Sequence, residues 1–153
     1  MSVRVGIGYD SHRFAAGRRL VLGGVEIDHD QGLEGHSDAD VITHAITDAV
    51  LGAAGLGDLG THFPPDDERW RDADSLDLLR TAVAMVHGHV VNVDATVICQ
   101  SPKLGEYRPE MERLLAAALG APASVKATTN EGMGWVGRGE GIACIAVALL
   151  EVD

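Results

Sequence analysis

The stretch Val3-Arg-Val-Gly6-Ile-Gly8-Tyr-Asp10-Ser-His12 opens the chain and sets the expected architecture. Residues 3–9 are predicted to form a β-strand that ends in glycines and delivers a carboxylate and an imidazole two residues apart. Side chains at positions i and i+2 of an extended chain point to the same side, so Asp10 and His12 converge on one ion. An oxygen and a nitrogen donor suit zinc or a similar divalent metal. The pair also fits an aspartate that orients a histidine in a turn, so a third ligand is needed to decide.

Composition favours a single globular domain that spans residues 1–153. The chain carries a net charge of −11 with only two lysines, and it has no basic run that would follow a nucleic-acid backbone. Nucleic acid is therefore not an expected partner. A membrane is not expected either, because no segment reaches the roughly 18 apolar residues of a spanning helix. The start of the chain lacks the features of a signal peptide, and a cytoplasmic protein is the expectation.

The two cysteines lie inside apolar runs, Thr96-Val-Ile-Cys99 and Ile142-Ala-Cys144-Ile-Ala146. Buried free thiols in neighbouring strands are the interpretation, in preference to a disulfide or a thiolate metal site. We expect neither cysteine to carry chemistry.

Hydrophobic periodicity predicts an α+β fold, with a mixed β-sheet and helices packed on one side. After the first strand, the predicted elements are a strand or hairpin over 19–27, a helix over 39–54, a loop over 55–65, a helix over 75–86, a strand over 90–99, a helix over 108–119, and strands over 125–129 and 141–150. Ser37 is the predicted N-cap of the first helix. Val91 is predicted to share a buried face with residues 93, 95, 97 and 99. The last strand is apolar on both faces, as expected of a central strand packed by helices or by another subunit.

The first helix carries a polar stripe, because Asp40, His44 and Asp48 recur every four residues. A solvent-facing row would explain this stripe. A buried helix would instead make His44 either a paired core histidine or a third ligand beside Asp10 and His12. Three protein ligands with one open position are typical of catalytic zinc.

Two further segments have the character of phosphate sites. His36 and Ser37 precede a helix N-terminus, where free amides can donate to a phosphate oxygen, although an ordinary cap is the simpler explanation. The segment Lys126–Gly141 ends a strand in hydroxyls and enters a loop with five glycines. There Thr128 and Thr129 would donate to phosphates, Glu131 would hold a hard cation, and Arg138 would pair with phosphate. Gln100-Ser-Pro-Lys103 adds an amide, a hydroxyl and a cation after another strand.

Taken together, these segments closely resemble the 2-C-methyl-D-erythritol 2,4-cyclodiphosphate synthase family. The matching segments are Val5-Gly-Ile-Gly-Tyr-Asp-Ser-His-Arg-Phe14, His36-Ser-Asp-Ala-Asp40, His44-Ala-Ile-Thr-Asp-Ala-Val-Leu-Gly52, Gly57-Asp-Leu-Gly60, Phe63-Pro64, Ser101-Pro-Lys103, Val125-Lys-Ala-Thr-Thr129 and Gly137-Arg-Gly-Glu-Gly-Ile-Ala143. They span essentially the whole chain.

The resemblance implies a homotrimer whose sheets face a central axis and whose active sites lie between neighbouring chains. It implies that Asp10, His12 and His44 bind zinc and that Glu131 binds a second divalent cation, Mg²⁺ or Mn²⁺. It assigns the transferring phosphate to His36 and Thr129. It places the methylerythritol moiety of the substrate, here called the sugar, in a pocket formed by Asp58, Leu59, Gly60, Phe63, Pro64, Pro65, Asp66 and Asp67. It places the cytidine and phosphate side on Gln100, Ser101, Pro102, Lys103 and the segment from Thr128 through Asn130 to Glu131. The other implied substrate-binding residues are Ser37, Trp135 and Arg138.

The implied reaction is an intramolecular phosphoryl transfer on a cytidine diphosphate-linked substrate, with release of CMP. Three residues depart from the family pattern: Pro65 interrupts Phe-Pro-Asp, Asn130 replaces a common Thr, and Trp135 replaces a common Phe. A zinc-dependent phosphohydrolase is an alternative function. A non-catalytic trimer that binds metal or an isoprenoid on its axis, near Arg138 and Glu140, is another.

Overall fold

The computed structural model describes all 153 residues as one α+β unit. Its seven strands are β1 (Ser2–Ala16), β2 (Leu20–Leu22), β3 (Val25–Ile27), β4 (Gln31–Leu33), β5 (Gly88–Ile98), β6 (Ala123–Thr128) and β7 (Gly141–Val152). Its five helices are α1 (Val41–Ala53), α2 (Leu59–His62), α3 (Ser75–Ala84), α4 (Arg108–Leu119) and α5 (Gly134–Gly137). No helix in this fold combines the length and the apolar composition needed to cross a bilayer.

The main sheet has five strands in the order β4-β1-β7-β5-β6. The pairs β4–β1, β1–β7 and β7–β5 are antiparallel, while β5 and β6 run parallel, so the sheet is mixed as predicted. Strand β7 pairs along its length with β1 and β5, which confirms its predicted central place. Strands β2 and β3 form a separate hairpin over the segment predicted as 19–27.

Helix α1 packs directly on β1 because β1 carries glycine where the two elements cross. A β-carbon on Gly8 would lie 1.9 Å from the carbonyl oxygen of Ala45, and one on Gly6 would lie 2.0 Å from that of Ala49. Alternation along β1 places Gly6, Gly8, Asp10 and His12 on one face. The two glycines therefore set how closely α1 approaches the strand that carries the candidate ligands.

The opposite face of the sheet, here called the outer face, carries an uncovered apolar patch on β1 and β7. Its central residues are Val3, Val5, Ile7 and Tyr9 of β1, with exposed fractions of 63, 69, 71 and 55%, and Ile145 and Val147 of β7, at 41% each. The helices share a single buried core with the inner face of the sheet. The prediction of helices on one side is thus confirmed.

The predicted start of the first helix was wrong. Ala39 has a φ of +57°, a left-handed conformation that a helix does not accept, and α1 begins at Val41. Its N-cap is Asp40, whose carboxylate accepts from the amide of Thr43 at 3.0 Å, and not Ser37. The solvent-facing explanation of the polar stripe is also excluded, since Asp40 is 0% and His44 8% exposed.

Other element boundaries differ from the sequence prediction. Strand β1 continues through Asp10 and His12 to Ala16, so the pair lies within a strand and not in a turn. A β-bulge lies between Val90 and Asn92. Because of it, Val91 faces outward and Val90 takes the buried position that was predicted for Val91. The predicted loop over 55–65 contains the short helix α2, and the glycine-rich loop after the predicted strand 125–129 contains the short helix α5.

Candidate active site

Strand β1 and helix α1 bring Asp10, His12 and His44 together, and these three residues are here called the metal cluster. Asp10 Oδ2 lies 2.9 Å from His12 Nε2 and 3.2 Å from His44 Nδ1. One ligand atom from each residue falls within 4.8 Å of the others. The predicted convergence of a carboxylate and two imidazoles is therefore confirmed as geometry.

The donor atoms of the metal cluster fit a divalent ion. His12 Nδ1 lies 2.8 Å from the carbonyl oxygen of Glu34, which accepts its proton and leaves Nε2 with a lone pair. His12 Nε2 is buried and makes no well-aligned hydrogen bond, although Asp10 Oδ2 lies 2.9 Å away. A lone pair that faces a carboxylate oxygen is unfavourable, and a metal ion shared by the two groups would satisfy both. One carboxylate and two imidazoles suit zinc among the common divalent metals.

The residues of the metal cluster shift one another's pKa values toward the charged forms. Burial acts to raise the pKa of Asp10, but the adjacent imidazoles of His12 and His44 outweigh it and hold the pKa at about 2. Burial acts to lower the pKa of His44, yet the hydrogen bond and charge of Asp10 raise it above the ordinary value. Asp10 is therefore a carboxylate at neutral pH, ready to bind a cation.

The segment that carries His36 and Ser37 is tied to the chain that precedes α3. The amide of Asp72 donates to the carbonyl of His36 at 2.9 Å, and the amide of Asp38 donates to that of Ala73 at 3.2 Å. His36 Nε2 lies 3.1 Å from the carbonyl oxygen of Asp67. These bonds bring the histidine predicted to contact phosphate against the predicted sugar-binding loop.

A cavity of about 210 Å³, here called the central cavity, opens onto the metal cluster. Its lining includes six of the other predicted residues: His36, Ser37, Leu59, Gly60, Phe63 and Pro65. Asp48 shapes one wall by accepting from the amide of Leu59 at 2.7 Å. The structure thus groups the metal cluster with much of the predicted sugar pocket.

Sequence reasoning missed two residues of the central cavity, Trp70 and Leu78. The Trp70 ring packs edge-on against Phe63 with centroids 5.0 Å apart, and its indole Nε1 is buried without a partner. A tryptophan within the charged segment Asp66–Asp74 was a usable signal. Leu78 gave no such signal in the sequence, because it occupies an ordinary apolar position of α3.

The rest of the predicted sugar loop lies at the rim. Asp58 caps α2 by accepting from the amide of Thr61 at 2.9 Å, and Asp67 forms an ion pair with Arg69 at 2.6 Å. Pro64 is half-buried and Asp66 is exposed. The extra proline at position 65 itself faces the central cavity.

The predicted cytidine-side residues gather at a second cavity of about 320 Å³, here called the edge cavity. Its lining includes Gln100, Pro102, Lys103, Thr128 and Thr129. Ser101 is exposed beside it, and the Ser101–Pro102 peptide is cis.

Hydrogen bonds to the side chains of Gln100 and Thr129 stabilise the turn that follows β6. Gln100 Oε1 accepts from the amides of Asn130 at 3.3 Å and Gly132 at 3.1 Å. Thr129 Oγ1 accepts from the amide of Glu131, which adopts a left-handed φ of +52°. The side-chain oxygen of Gln100 thus positions the turn that presents Glu131.

The two cavities lie apart within one chain. The strand registers align Ser11, Ala143, Ile98 and Thr128 in one row across the sheet. Three strand spacings separate β1 from β6 in that row, or about 14 Å. Thr129 and Glu131 therefore sit at the same end of the sheet as the metal cluster but displaced sideways from it.

Two predicted substrate-binding residues, Trp135 and Arg138, line neither the central cavity nor the edge cavity. Trp135 lines a cavity of about 510 Å³ with Ser11, His12 and Glu140, and Arg138 pairs with Glu140 at 2.7 Å. Arg138 is more than half exposed. Within the single chain, its guanidinium is engaged by a carboxylate.

Both cysteines are buried free thiols, as predicted. Cys144 lies opposite Val97 on the neighbouring strand β5, and Cys99 follows that strand directly. Burial raises the pKa of Cys99 to about 11 and also raises that of Cys144. Neither forms the thiolate that nucleophilic chemistry requires.

Residues 3–151 match the family model described as the YgbB family. A 2-C-methyl-D-erythritol 2,4-cyclodiphosphate synthase from Symbiobacterium thermophilum is 59% identical over 152 residues, which cover 95% of this chain and 97% of that protein. The synthase of the same name from Rubrobacter xylanophilus is 60% identical over 156 residues, covering 97% of this chain and 94% of that protein.

The fold agrees with the sequence comparison. An IspF from Plasmodium falciparum, solved as a CDP complex, superposes with a TM-score of 0.86 at 34% identity and covers 99% of this chain and 97% of that one. Identity of this order over nearly complete chains shows common descent. The chain therefore belongs to the YgbB family.

Proposed function

We propose that this chain converts 4-diphosphocytidyl-2-C-methyl-D-erythritol 2-phosphate to 2-C-methyl-D-erythritol 2,4-cyclodiphosphate with release of CMP. The observation that carries the proposal is the metal cluster at the mouth of the central cavity, in a chain 59% identical to a synthase of that name. In this reaction the 2-phosphate oxygen bonds to the β-phosphorus, and the bond from that phosphorus to the CMP oxygen breaks. Water is not consumed.

This chemistry requires no activated nucleophile from the protein. The attacking phosphate is already ionised and attached to the substrate, so the protein has to fold the substrate and stabilise charge. The buried unreactive thiols of Cys99 and Cys144 agree with this demand. A zinc ion on Asp10, His12 and His44 would polarise the phosphoryl group that is attacked.

The remaining roles divide between the two cavities. His36 and Ser37 would orient the transferring phosphate beside the metal cluster. The methylerythritol moiety would lie against Asp58, Leu59, Gly60, Phe63 and the segment 64–67. Cytidine and its phosphates would lie at the edge cavity, on residues 100–103 and 128–130, with Trp135 and Arg138 nearby. Thr129 would contact the transferring phosphate, and Glu131 would hold Mg²⁺ or Mn²⁺ on the diphosphate.

Two observations on the single chain support a homotrimer with shared sites. The apolar outer face of β1 and β7 is uncovered, although such a patch normally packs against protein. The halves of the predicted site also lie about 14 Å apart across the sheet, at β1 and at the β6 edge. If neighbouring copies meet around the outer face, the β6 edge of one copy can face the metal cluster of the next. A cytoplasmic location stays a prediction.

The test is to incubate the purified protein with the cytidylyl substrate and Mg²⁺ and to follow the phosphorus NMR spectrum. We expect CMP and a cyclic diphosphate in equal amounts, with no inorganic phosphate. The same reaction in ¹⁸O-labelled water should leave both products unlabelled. Release of inorganic phosphate with label incorporation would show the phosphohydrolase instead. Absence of any product would favour a non-catalytic binding protein.

A further inference from the structure

A chain of hydrogen bonds lies behind His44, on the side of the ring away from Asp10. Ser75, the first residue of α3, is fully buried, and its Oγ lies 2.7 Å from His44 Nε2. The same Oγ makes a short hydrogen bond with Asp38 Oδ1. Asp38 Oδ2 also accepts from the backbone amide of Ser75 at 3.1 Å. Asp38, Ser75 and His44 are therefore linked in a row that ends at the metal cluster.

The direction of each bond in this row follows from the chemistry of the groups. A carboxylate only accepts hydrogen bonds, so the single hydroxyl proton of Ser75 goes to Asp38. The Ser75 oxygen then presents a lone pair to His44, and the contact at 2.7 Å requires a proton on His44 Nε2. Ser37 Oγ, 3.1 Å from the same nitrogen, already accepts from the amide of Ala39 at 3.2 Å. The shorter contact, to Ser75, thus favours the Nε2–H form, and Ser37 Oγ keeps a second lone pair that can share this proton.

Capping does not explain the Ser75 hydroxyl. The N-cap of α3 is Asp74, whose carboxylate accepts from the amide of Leu76 at 2.9 Å. The Ser75 side chain makes its contacts with Asp38 and His44 alone. A fully buried hydroxyl placed between a carboxylate and an imidazole matches the outer-sphere partners that orient metal-bound histidines.

We propose that Ser75 and Asp38 are positioning residues that hold His44 in its Nε2–H tautomer and aim Nδ1 at the metal cluster. Neither residue touches the ion. Ser75 fixes the tautomer and the ring orientation, and Asp38 fixes the direction of the Ser75 hydroxyl. The inference rests on the proposed role of His44 as a metal ligand.

The decisive variant is Ser75→Ala, which removes only the hydroxyl and keeps the backbone bond to Asp38. Zinc affinity is measured by competition with a chromophoric chelator, independently of turnover. We expect a loss of about 10- to 100-fold relative to the unchanged protein. Ser124→Ala, on the exposed part of β6, is the matched control and should bind zinc unchanged. Ser75→Thr keeps the hydroxyl and should restore most of the affinity.

The tautomer is read directly from long-range ¹H–¹⁵N spectra of the zinc-loaded protein. We expect His44 to carry its proton on Nε2 and to lose the protection of that proton in Ser75→Ala. Equal zinc affinity of Ser75→Ala and the control, or a proton on Nδ1 of His44, would overturn the inference while leaving the proposed reaction intact. If the unchanged protein bound no zinc at all, both proposals would fail together.

Discussion

His44 occupies the position on which the metal cluster depends, because α1 carries it to β1 on a face that is almost wholly buried. Replacing it by alanine leaves Asp10 and His12 as an incomplete ligand pair. For His44→Ala we expect loss of stoichiometric zinc and of nearly all turnover, a larger effect than the roughly 10- to 100-fold typical of an outer-sphere partner. Metal analysis of the purified variant checks this.

The control for that experiment is His89→Ala. His89 lies on β5 with 61% of its side chain exposed and pairs with Glu151 at 3.2 Å, away from the metal cluster. It should retain zinc and activity. Stoichiometric zinc in His44→Ala would show that the third ligand is another residue.

The pKa shifts within the metal cluster predict how zinc binding responds to acid. Asp10 stays ionised down to pH about 2, whereas His44, raised above its ordinary value of 6.5, must lose its Nδ1 proton to bind zinc. Zinc affinity should therefore fall as the pH drops from 8 to 5. The folding stability of the metal-free protein should depend on pH in the opposite sense. Protonated His44 stabilises the fold below pH about 6.5, and this contribution is lost as the pH rises through the pKa of His44 in the folded protein.

Chelator competition between pH 5 and 8 measures the first effect, and thermal unfolding of the metal-free protein measures the second. The two should slope in opposite directions with pH. A zinc affinity that does not change over this range would contradict the assignment of His44 as a ligand that gives up a proton.

Among the elements, the crossing of α1 over β1 is the contact most sensitive to substitution. A β-carbon on Gly8 would lie 1.9 Å from the Ala45 carbonyl oxygen, and backbone cannot move aside as a side chain does. For Gly8→Ala we expect a loss of about 3 kcal/mol or more in unfolding free energy. At roughly 2–4 °C per kcal/mol, Tm should fall by about 6–12 °C. Scanning calorimetry checks the shift.

Gly52→Ala is the matched control with the opposite sign. Gly52 is an exposed residue within α1, and its added β-carbon would meet only the carbonyl oxygen of Ile7, at 3.9 Å. Alanine in a helix is favoured over glycine by about 0.5–1 kcal/mol, so this variant should be slightly more stable. Equal effects of the two substitutions would mean that the close crossing does not hold in solution.

For the whole molecule, the outer face predicts assembly. Val5 is 69% exposed at the centre of an apolar patch and makes no contribution to the buried core of its own chain. A charge there would be buried without a partner in a trimer but solvated in a monomer. For Val5→Lys we expect a folded monomer that has lost most of its activity. Sedimentation combined with the CMP assay checks both.

Arg80→Glu is the corresponding control, because Arg80 is half exposed on α3, on the helical side of the sheet. It should remain a trimer and remain active. A fully active monomer of Val5→Lys would contradict the shared-site arrangement.

The sequence by itself determined the secondary structure pattern, the mixed sheet with helices on one side, and the identity of the metal cluster. Periodicity and residue type are local properties, and the i, i+2 spacing of Asp10 and His12 holds in any extended strand. The same local reasoning misplaced the N-cap at Ser37 and the orientation of Val91. A left-handed residue and a β-bulge depend on contacts made by distant segments.

Only the tertiary structure decided how the site is built. It showed which nitrogen of each histidine faces Asp10, because the Glu34 carbonyl lies on the other side of the His12 ring and the Ser75 hydroxyl on the other side of the His44 ring. It also showed that Thr129 follows a strand three places away from β1, about 14 Å across the sheet, since strand order sets that separation. The physical reason is the same in each case. These features arise from contacts between residues far apart along the chain, and such contacts cannot be predicted from the local sequence.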